Sequence, residues 1–334
     1  MKQFVKQAIL HGAEWSGINR FYRWKTRNRL LGLCYHGVIS DDAPWDDCRT
    51  WIAVSETQFN RQMRELRRHW QPISLSKLDE LFQSGRPIPE RSVFVTFDDG
   101  FRNNLTVAAP ILRRYEIPAT VFLTTGLIDT ENTIWPLELF ERILCNDENE
   151  LPIPRSLGSV PNDVSAKRNY AGRVIEYCKT LPVAECRKII KDFRRKTEFR
   201  LQHHWQKELY EMLEWSEARQ LVDRGIEIGA HTVTHCNLAK VSPEEAENEL
   251  RQSKSTVEKQ LNIDCRSMAY PFGHAESFSD DVVKIVRKLG FRIGVTLCLR
   301  RNNPEPAPLL LDRLCVTGDL SLESFRSLIA GWRN

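Results

Sequence analysis

A chain of 334 residues, 41% hydrophobic and 28% charged, has the composition of an ordinary globular protein, which excludes disorder as its main state. Its net charge of +4 is too mild for the concentrated basic face of a nucleic-acid binder. The nine cysteines are scattered with no C-x-x-C pair, which argues against a disulfide framework or a thiolate zinc site and fits reduced thiols.

Residues 1–29 mix Phe4, Val5, Ile9, Leu10, Trp15, Ile18, Phe21, Tyr22 and Trp24 with seven Lys/Arg. Such a segment either lies on a membrane surface or packs as a helix across one end of the main domain. It lacks the unbroken apolar stretch of a signal peptide, and no window approaches 18 consecutive apolar residues. The expected location is the cytoplasm, with peripheral contact at the inner membrane face as the corollary of a membrane-lying segment.

From residue 30 onward, short β-rich apolar runs recur: Leu30–Tyr35, Ser92–Phe97, Ala119–Thr124, Ile226–Ala230, Ser267–Tyr270, Phe291–Thr296 and Leu309–Val316. Helical patterns separate them, among them Thr57–Trp70, Leu105–Tyr115 and Asp280–Leu289. The clearest helix start is Ser242-Pro243-Glu244-Glu245: Ser242 caps, Pro243 suits the first turn, and Glu245 completes a capping box. Strands alternating with helices indicate parallel βα units, and seven of them suggest a distorted (β/α)7 barrel rather than an open sheet. Residues 128–214 break the rhythm with charged helical sequence, including Arg187–Arg195, and a Pro/Ser/Asn-containing linker near 152–165. The expected organisation is a basic aromatic segment (1–29), a barrel (30–127 and 215–334) and a helical insertion (128–214).

Three segments, each after a predicted strand, carry chemistry. In Thr96-Phe97-Asp98-Asp99-Gly100, adjacent carboxylates point in different directions, so one can bind a metal while the other handles protons. Gly100 lets the backbone turn at once. In His231-Thr232-Val233-Thr234-His235, two imidazoles four residues apart can converge on one ion, from a helical turn or from a tight loop. With one carboxylate they leave positions open for water and substrate. In Tyr270-Pro271-Phe272-Gly273-His274, Pro and Gly flank an aromatic, a rigid turn able to aim a backbone N–H and a ring into a cleft. Alone, the Asp-Asp-Gly segment is also good turn chemistry, the Tyr-Pro-Phe-Gly segment is also a strand-to-helix turn, and a lone His-x-x-x-His does not by itself mark a metal site.

Together and in this order, the three segments resemble the polysaccharide deacetylase (NodB-homology) family, and Leu33-Cys34-Tyr35-His36-Gly37-Val38 resembles the Tyr-His strand of its exopolysaccharide-associated branch. The resemblance covers roughly residues 30–127 and 215–320. It implies a distorted (β/α)7 barrel with its site at the C-terminal strand ends. It also implies that Asp98 is the general base, and that Asp99, His231 and His235 are ligands of a divalent metal, usually zinc. Tyr270, Pro271, Phe272 and Gly273 would line the substrate and oxyanion region, with the Phe272 N–H as oxyanion donor. The substrate implied is an N-acetylated glycan, or a lipid-linked sugar met during assembly. A rival from another class is a degenerate, non-catalytic glycan-binding protein; another is an amidase acting on a small non-sugar amide.

Two departures from the family pattern matter. The Arg that usually stands two residues before the motif Pro is Ala269 here, and the late segment that normally supplies an acidic His reads Leu309-Leu310-Leu311-Asp312-Arg313. Arg313 is the candidate to tether Asp98 in place of the missing Arg, the alternative being an ion pair with Asp312 on the surface. For the acid, His36 and His274 are the candidates, each just after a predicted strand. An imidazole near pKa 6.5, raised further by the site's carboxylates, would donate a proton at neutral pH.

Overall fold

The structure is a computed structural model describing residues 17–43, 51–146, 151–152, 155–199, 201, 203–303 and 305–332. Residues 1–16 of the basic aromatic segment lie outside the described residues. Among the described residues ten strands form: β1 (Leu31–Tyr35), β2 (Gly37–Ile39), β3 (Ala53–Ser55), β4 (Gln71–Pro72), β5 (Ser92–Phe97), β6 (Ala119–Leu123), β7 (Glu227–Ala230), β8 (Ser267–Ala269), β9 (Ile293–Val295) and β10 (Leu314–Cys315). Seven make one parallel path in the order β10-β1-β5-β6-β7-β8-β9, and β4 pairs beside the start of β5. The short β2-β3 pair stands apart and matches no predicted run.

Side-chain alternation sorts this sheet into two apolar clusters. Leu31, Leu33 and Tyr35 of β1, with Val93, Val95 and Phe97 of β5, join the large cluster formed with the surrounding helices. Phe94, Phe122, Ala269, Ile293, Val295 and Leu311 form a second cluster on the opposite face, inside the curl. Gly32 lies on that inner face, where an added Cβ would stand 2.4 Å from the Phe94 ring and 3.0 Å from Arg313 Cγ. The absent side chain makes the space that Arg313 occupies.

The last predicted strand is real only in pieces. Leu311 bridges Val295 in parallel, whereas Leu314 and Cys315 pair with β1. Between them Asn302 fills the seam: its Nδ2 donates to the Asp312 carbonyl at 2.8 Å, and its Oδ1 accepts from the Asp312 amide at 2.8 Å. One segment thus changes neighbour in mid-course and draws β9 towards β1, which is the distortion of the barrel.

Helices follow the capping chemistry closely. Ser55, Ser74, Asp163, Ser242, Ser279 and Ser321 each accept a hydrogen bond from an amide in the first turn of the helix they precede. At Ser242 only half of the expected capping box forms. Ser242 Oγ accepts from the Glu245 amide, but the Glu245 carboxylate turns outward to Arg187.

Between β6 and β7, helices Trp135–Cys145, Val164–Thr180, Val183–Lys196 and His204–Tyr210 form a layer, with no strand among the described residues of 128–214. Leu139, Ile143, Tyr170, Val174, Ile190 and Phe193 give it a core cluster of its own. Glu138, buried within it, is held by Arg142 at 2.9 Å and Arg194 at 2.6 Å. No described helix is long and apolar enough to cross a membrane.

Candidate metal centre and base

Asp98 and Asp99 follow β5 directly. Asp98 continues the inner-face alternation of Phe94 and Thr96, while Asp99 takes a left-handed conformation at φ 76° and swings away from it. Gly100, at φ 91°, completes the turn; a Cβ there would stand 2.8 Å from Leu123 Cδ2. Thr124 donates its amide to the Asp99 carbonyl at 3.1 Å and ties this turn to the end of β6.

The two histidines converge from a loop, not a helix. After β7, Thr232 and His235 both adopt positive φ, 63° and 54°. Glu249 holds the loop by accepting the Val233 and Thr234 amides at 2.8 and 2.9 Å and the Thr234 hydroxyl at 2.7 Å. Of nine non-glycine residues with positive φ among those described, four (Asp99, Thr232, His235 and Phe272) stand at this site. Strained backbone is thus concentrated where side chains must be aimed.

The resulting cluster is compact. His231 Nε2 lies 3.6 Å and His235 Nε2 3.3 Å from Asp99 Oδ1, and all three residues are buried. His231 Nδ1 donates to the Ala269 carbonyl at 2.8 Å, which leaves Nε2 as the ligand nitrogen. Both Asp99 carboxylate oxygens are buried without a hydrogen-bond partner. Burial, reinforced by Asp98, pushes the Asp99 carboxyl up; burial pushes His231 down and His235 well down. Two neutral imidazoles around a carboxylate that lacks any donor fit a divalent cation, and two nitrogens with one oxygen suit zinc.

Arg313 reaches Asp98. Its Nη1 donates to Asp98 Oδ1 at 2.7 Å and its Nη2 to Oδ2 at 2.8 Å, a two-pronged pairing with both side chains buried. Nη1 also donates to Thr96 Oγ1 at 2.8 Å and Nε to the Thr296 carbonyl at 3.0 Å. The alternative pairing of Arg313 with Asp312 does not form: Asp312 accepts from Arg300 Nε at 2.5 Å and from the Thr296 hydroxyl at 2.7 Å. Burial alone would raise the Asp98 carboxyl; Arg313, helped by His231 and His36, outweighs it and holds the group below the usual carboxylate range.

The two acid candidates part company. His36 sits beside Asp98: a ring nitrogen of His36, the Cys34 sulfur and an Asp98 oxygen lie within 4.8 Å of one another. Desolvation outweighs the attraction of Asp98 and pushes the imidazole down to about 4, against the expectation that carboxylates would raise it. At neutral pH it carries no spare proton. His274 is exposed on the turn that follows Gly273, with no hydrogen bond or ion pair from its ring to any described residue. It is not part of the cluster.

Tyr270 also needs correction as a substrate residue. Its ring is fully buried and stacked on Phe278 at 4.5 Å, and its hydroxyl donates to the Leu309 carbonyl at 3.1 Å. Pro271 and Gly273 are buried, and an added Cβ on Gly273 would stand 2.5 Å from the Leu297 amide nitrogen. Phe272 is the member of the turn that borders the cluster, with φ 63° and its ring 4.8 Å from that of His235. Its amide has no acceptor among the described residues.

Sequence reasoning missed Trp135 and Lys179, which come from the helical insertion. Trp135 Nε1 donates to the His235 carbonyl at 3.3 Å, and Lys179 Nζ lies 5.3 Å from the centre of the Phe272 ring. No local pattern marks them, because only packing of the helical layer against the β7 and β8 loops brings them there.

Residues 85–151 and 184–294 match the family model described as polysaccharide deacetylase. The poly-β-1,6-N-acetyl-D-glucosamine N-deacetylase of Staphylococcus epidermidis is 22% identical over 319 residues, 92% of this chain and 84% of that protein. The protein of the same description from Escherichia coli (strain K12) is 29% identical over 104 residues, 31% of this chain and 15% of that protein, so the match spans a small part of its length. Among solved structures, the Streptococcus pyogenes deacetylase PplD in complex with acetate shares the fold, with a TM-score of 0.60 and 19% identity over 90% of this chain and 98% of that one.

Proposed function

The chain belongs to the polysaccharide deacetylase family, and on that premise we propose that it is a metal-dependent hydrolase that removes N-acetyl groups from a glycan or a lipid-linked sugar. The observation that carries this reading is the pairing of two unlike carboxylates. Asp98 is kept ionised by a buried guanidinium, and next to it Asp99 has two oxygens with no donor. A binding module has no use for a base and a cation site side by side.

Asp99, His231 and His235 would hold the ion, which when bound supplies Lewis-acid polarisation of the amide carbonyl and of the attacking water. Asp98 accepts a proton as water attacks; the Arg313 fork fixes the direction of its oxygens and keeps it ionised, with a carboxylate lone pair available for that proton. The Phe272 amide donates to the oxygen that gains negative charge. The C–N bond then breaks, and the amine leaves with a proton. Since His36 is held neutral and His274 lies outside the cluster, that proton comes from Asp98, which gained it from water; acetate and a free amine are the products.

The exposed Ile18, Phe21 and Trp24 on the helix Ile18–Lys25, beside Arg20, Arg23 and Lys25, support a second proposal, contact with an anionic membrane surface. Cell fractionation with and without residues 1–29 tests it, and absence of both forms from the membrane fraction refutes it. For the hydrolase, zinc-loaded protein is incubated with N-acetylated oligosaccharides and lipid-linked sugars while acetate is measured. Acetate release is expected, with about one divalent ion per chain by elemental analysis and none retained in His231→Ala. Zinc-loaded protein that releases no acetate from any of these, or His231→Ala with full metal content, overturns the proposal.

A further inference from the structure

A cavity of about 540 Å³ opens between the helix Val183–Lys196 and the loops after β6, β7 and β8, on the face of the barrel that carries the metal cluster. Phe272 and Trp135 form its border with that cluster, through the ring contact with His235 and the hydrogen bond to the His235 carbonyl. Its charged lining is of one sign: Lys179, Arg187, Lys191 and Arg194, and no Asp or Glu among the described residues. The acids that pair with three of these cations stand outside the lining: Glu176 with Lys179, Glu245 and Glu249 with Arg187, and Glu138 with Arg194. Lys191 has no ion pair with any described residue.

Resting on the deacetylase reading, we propose that this cavity is a subsite for a phosphate ester or diphosphate that the substrate carries next to its acetamido sugar. A neutral glycan would be met by carboxylates as well as amides; the lining holds the amides Asn132 and Asn237 but no carboxylate. Here four cations line one cavity; three of them also pair with glutamates outside the lining, and Lys191, which has no such partner among the described residues, is the cation left to meet an anion. The volume lies in the range of small-ligand sites, and the remaining lining is largely apolar, which suits a diphosphate continuing into a lipid as well as one continuing into a nucleoside. The helical insertion thereby becomes a specificity element, since Lys179, Arg187, Lys191 and Arg194 all belong to it.

The test is calorimetric binding of N-acetylglucosamine and N-acetylglucosamine 1-phosphate to the zinc-loaded protein. The phosphate should tighten binding by about tenfold or more, the worth of one or two hydrogen bonds to a charged group. Lys191→Glu should bring the ratio of the two dissociation constants to about one, by reversing one of the charges. Equal binding in the parent protein overturns the proposal. So does a phosphate advantage that survives in Lys191→Glu and in the Lys179→Glu/Lys191→Glu double variant, because a phosphate lodged on the metal would behave so. Farnesyl-diphosphate-linked and uridine-diphosphate-linked N-acetylglucosamine form the second arm; tighter binding of either supports the subsite, and the tighter of the two names the carrier. Acetate release from neutral oligosaccharides is read separately. Release with no phosphate preference overturns the subsite and leaves the hydrolase standing; phosphate preference with no release from any substrate does the reverse.

Discussion

Replacing Arg313 by Ala should be among the most damaging single changes in this protein. The guanidinium is fully buried and makes four hydrogen bonds, two of them to Asp98, which is only 2% exposed. Its loss leaves a buried carboxylate without a counter-charge, a change that costs about 3–5 kcal/mol in buried pairs. The space left between Gly32 and the Phe122 ring adds a cavity term of the same sign. The penalty should depend on pH. In the parent protein the Asp98 pKa is depressed, so its contribution is present above the unfolded value near ~3.9 and is lost only as pH falls through the lower folded value. In Arg313→Ala, burial raises the carboxyl instead, so the penalty is complete at neutral pH and is relieved as acid neutralises the charge. Guanidinium unfolding near neutral pH and at mildly acidic pH should therefore show a gap of about 4 kcal/mol that narrows towards acid. In an Asp98→Asn background the same Arg313→Ala change should cost clearly less. A neutral-pH gap below about 1 kcal/mol, the size of an exposed pair, or one equal at both pH values, would refute this account of the pair.

Asp98→Asn should retain the metal and lose about 10²–10⁴-fold in turnover, the span of a general base; acetate release at the parent rate excludes that role. His36→Ala should cost only a few-fold in turnover, because the imidazole is already neutral at pH 7. A flattened alkaline limb of the pH–rate profile in that variant would restore His36 as the acid. The same depressed imidazole must be charged on unfolding in acid, so stability should fall as pH drops from its free value near 6.5 towards about 4, and His36→Ala should soften that slope. Iodoacetamide at about pH 8 should alkylate the exposed Cys145 well before the buried Cys236 and Cys265, whose thiols burial pushes up to about 12. Mass mapping that finds either buried thiol labelled as fast as Cys145 contradicts the packing.

Much of the architecture is written locally. Runs such as Ser92–Phe97 and Ala119–Leu123 declare themselves strands by β-branched and aromatic content, and Ser55, Ser74 and Ser279 mark helix starts by a chemistry confined to one turn. Asp98, Asp99, His231 and His235 are legible for the same reason: each pair is close in the chain, and turn-forming neighbours hold its geometry. What the sequence left open depends on pieces distant in the chain. Arg313 could be named as a tether but not told apart from a partner of Asp312, because the choice depends on which face of an interrupted strand it occupies. The interruption is set by Asn302 in the seam and the room by Gly32, each reaching it from elsewhere in the chain. His36 and His274 looked alike as residues after strands, yet one lies against Asp98 and the other in solvent. Burial, which reversed the expected direction of the His36 shift and hid Tyr270 in the core, is a property of the packed whole. Trp135 and Lys179 reach the site only because the helical layer folds back over the β7 and β8 loops, a long-range closure that no local spacing encodes.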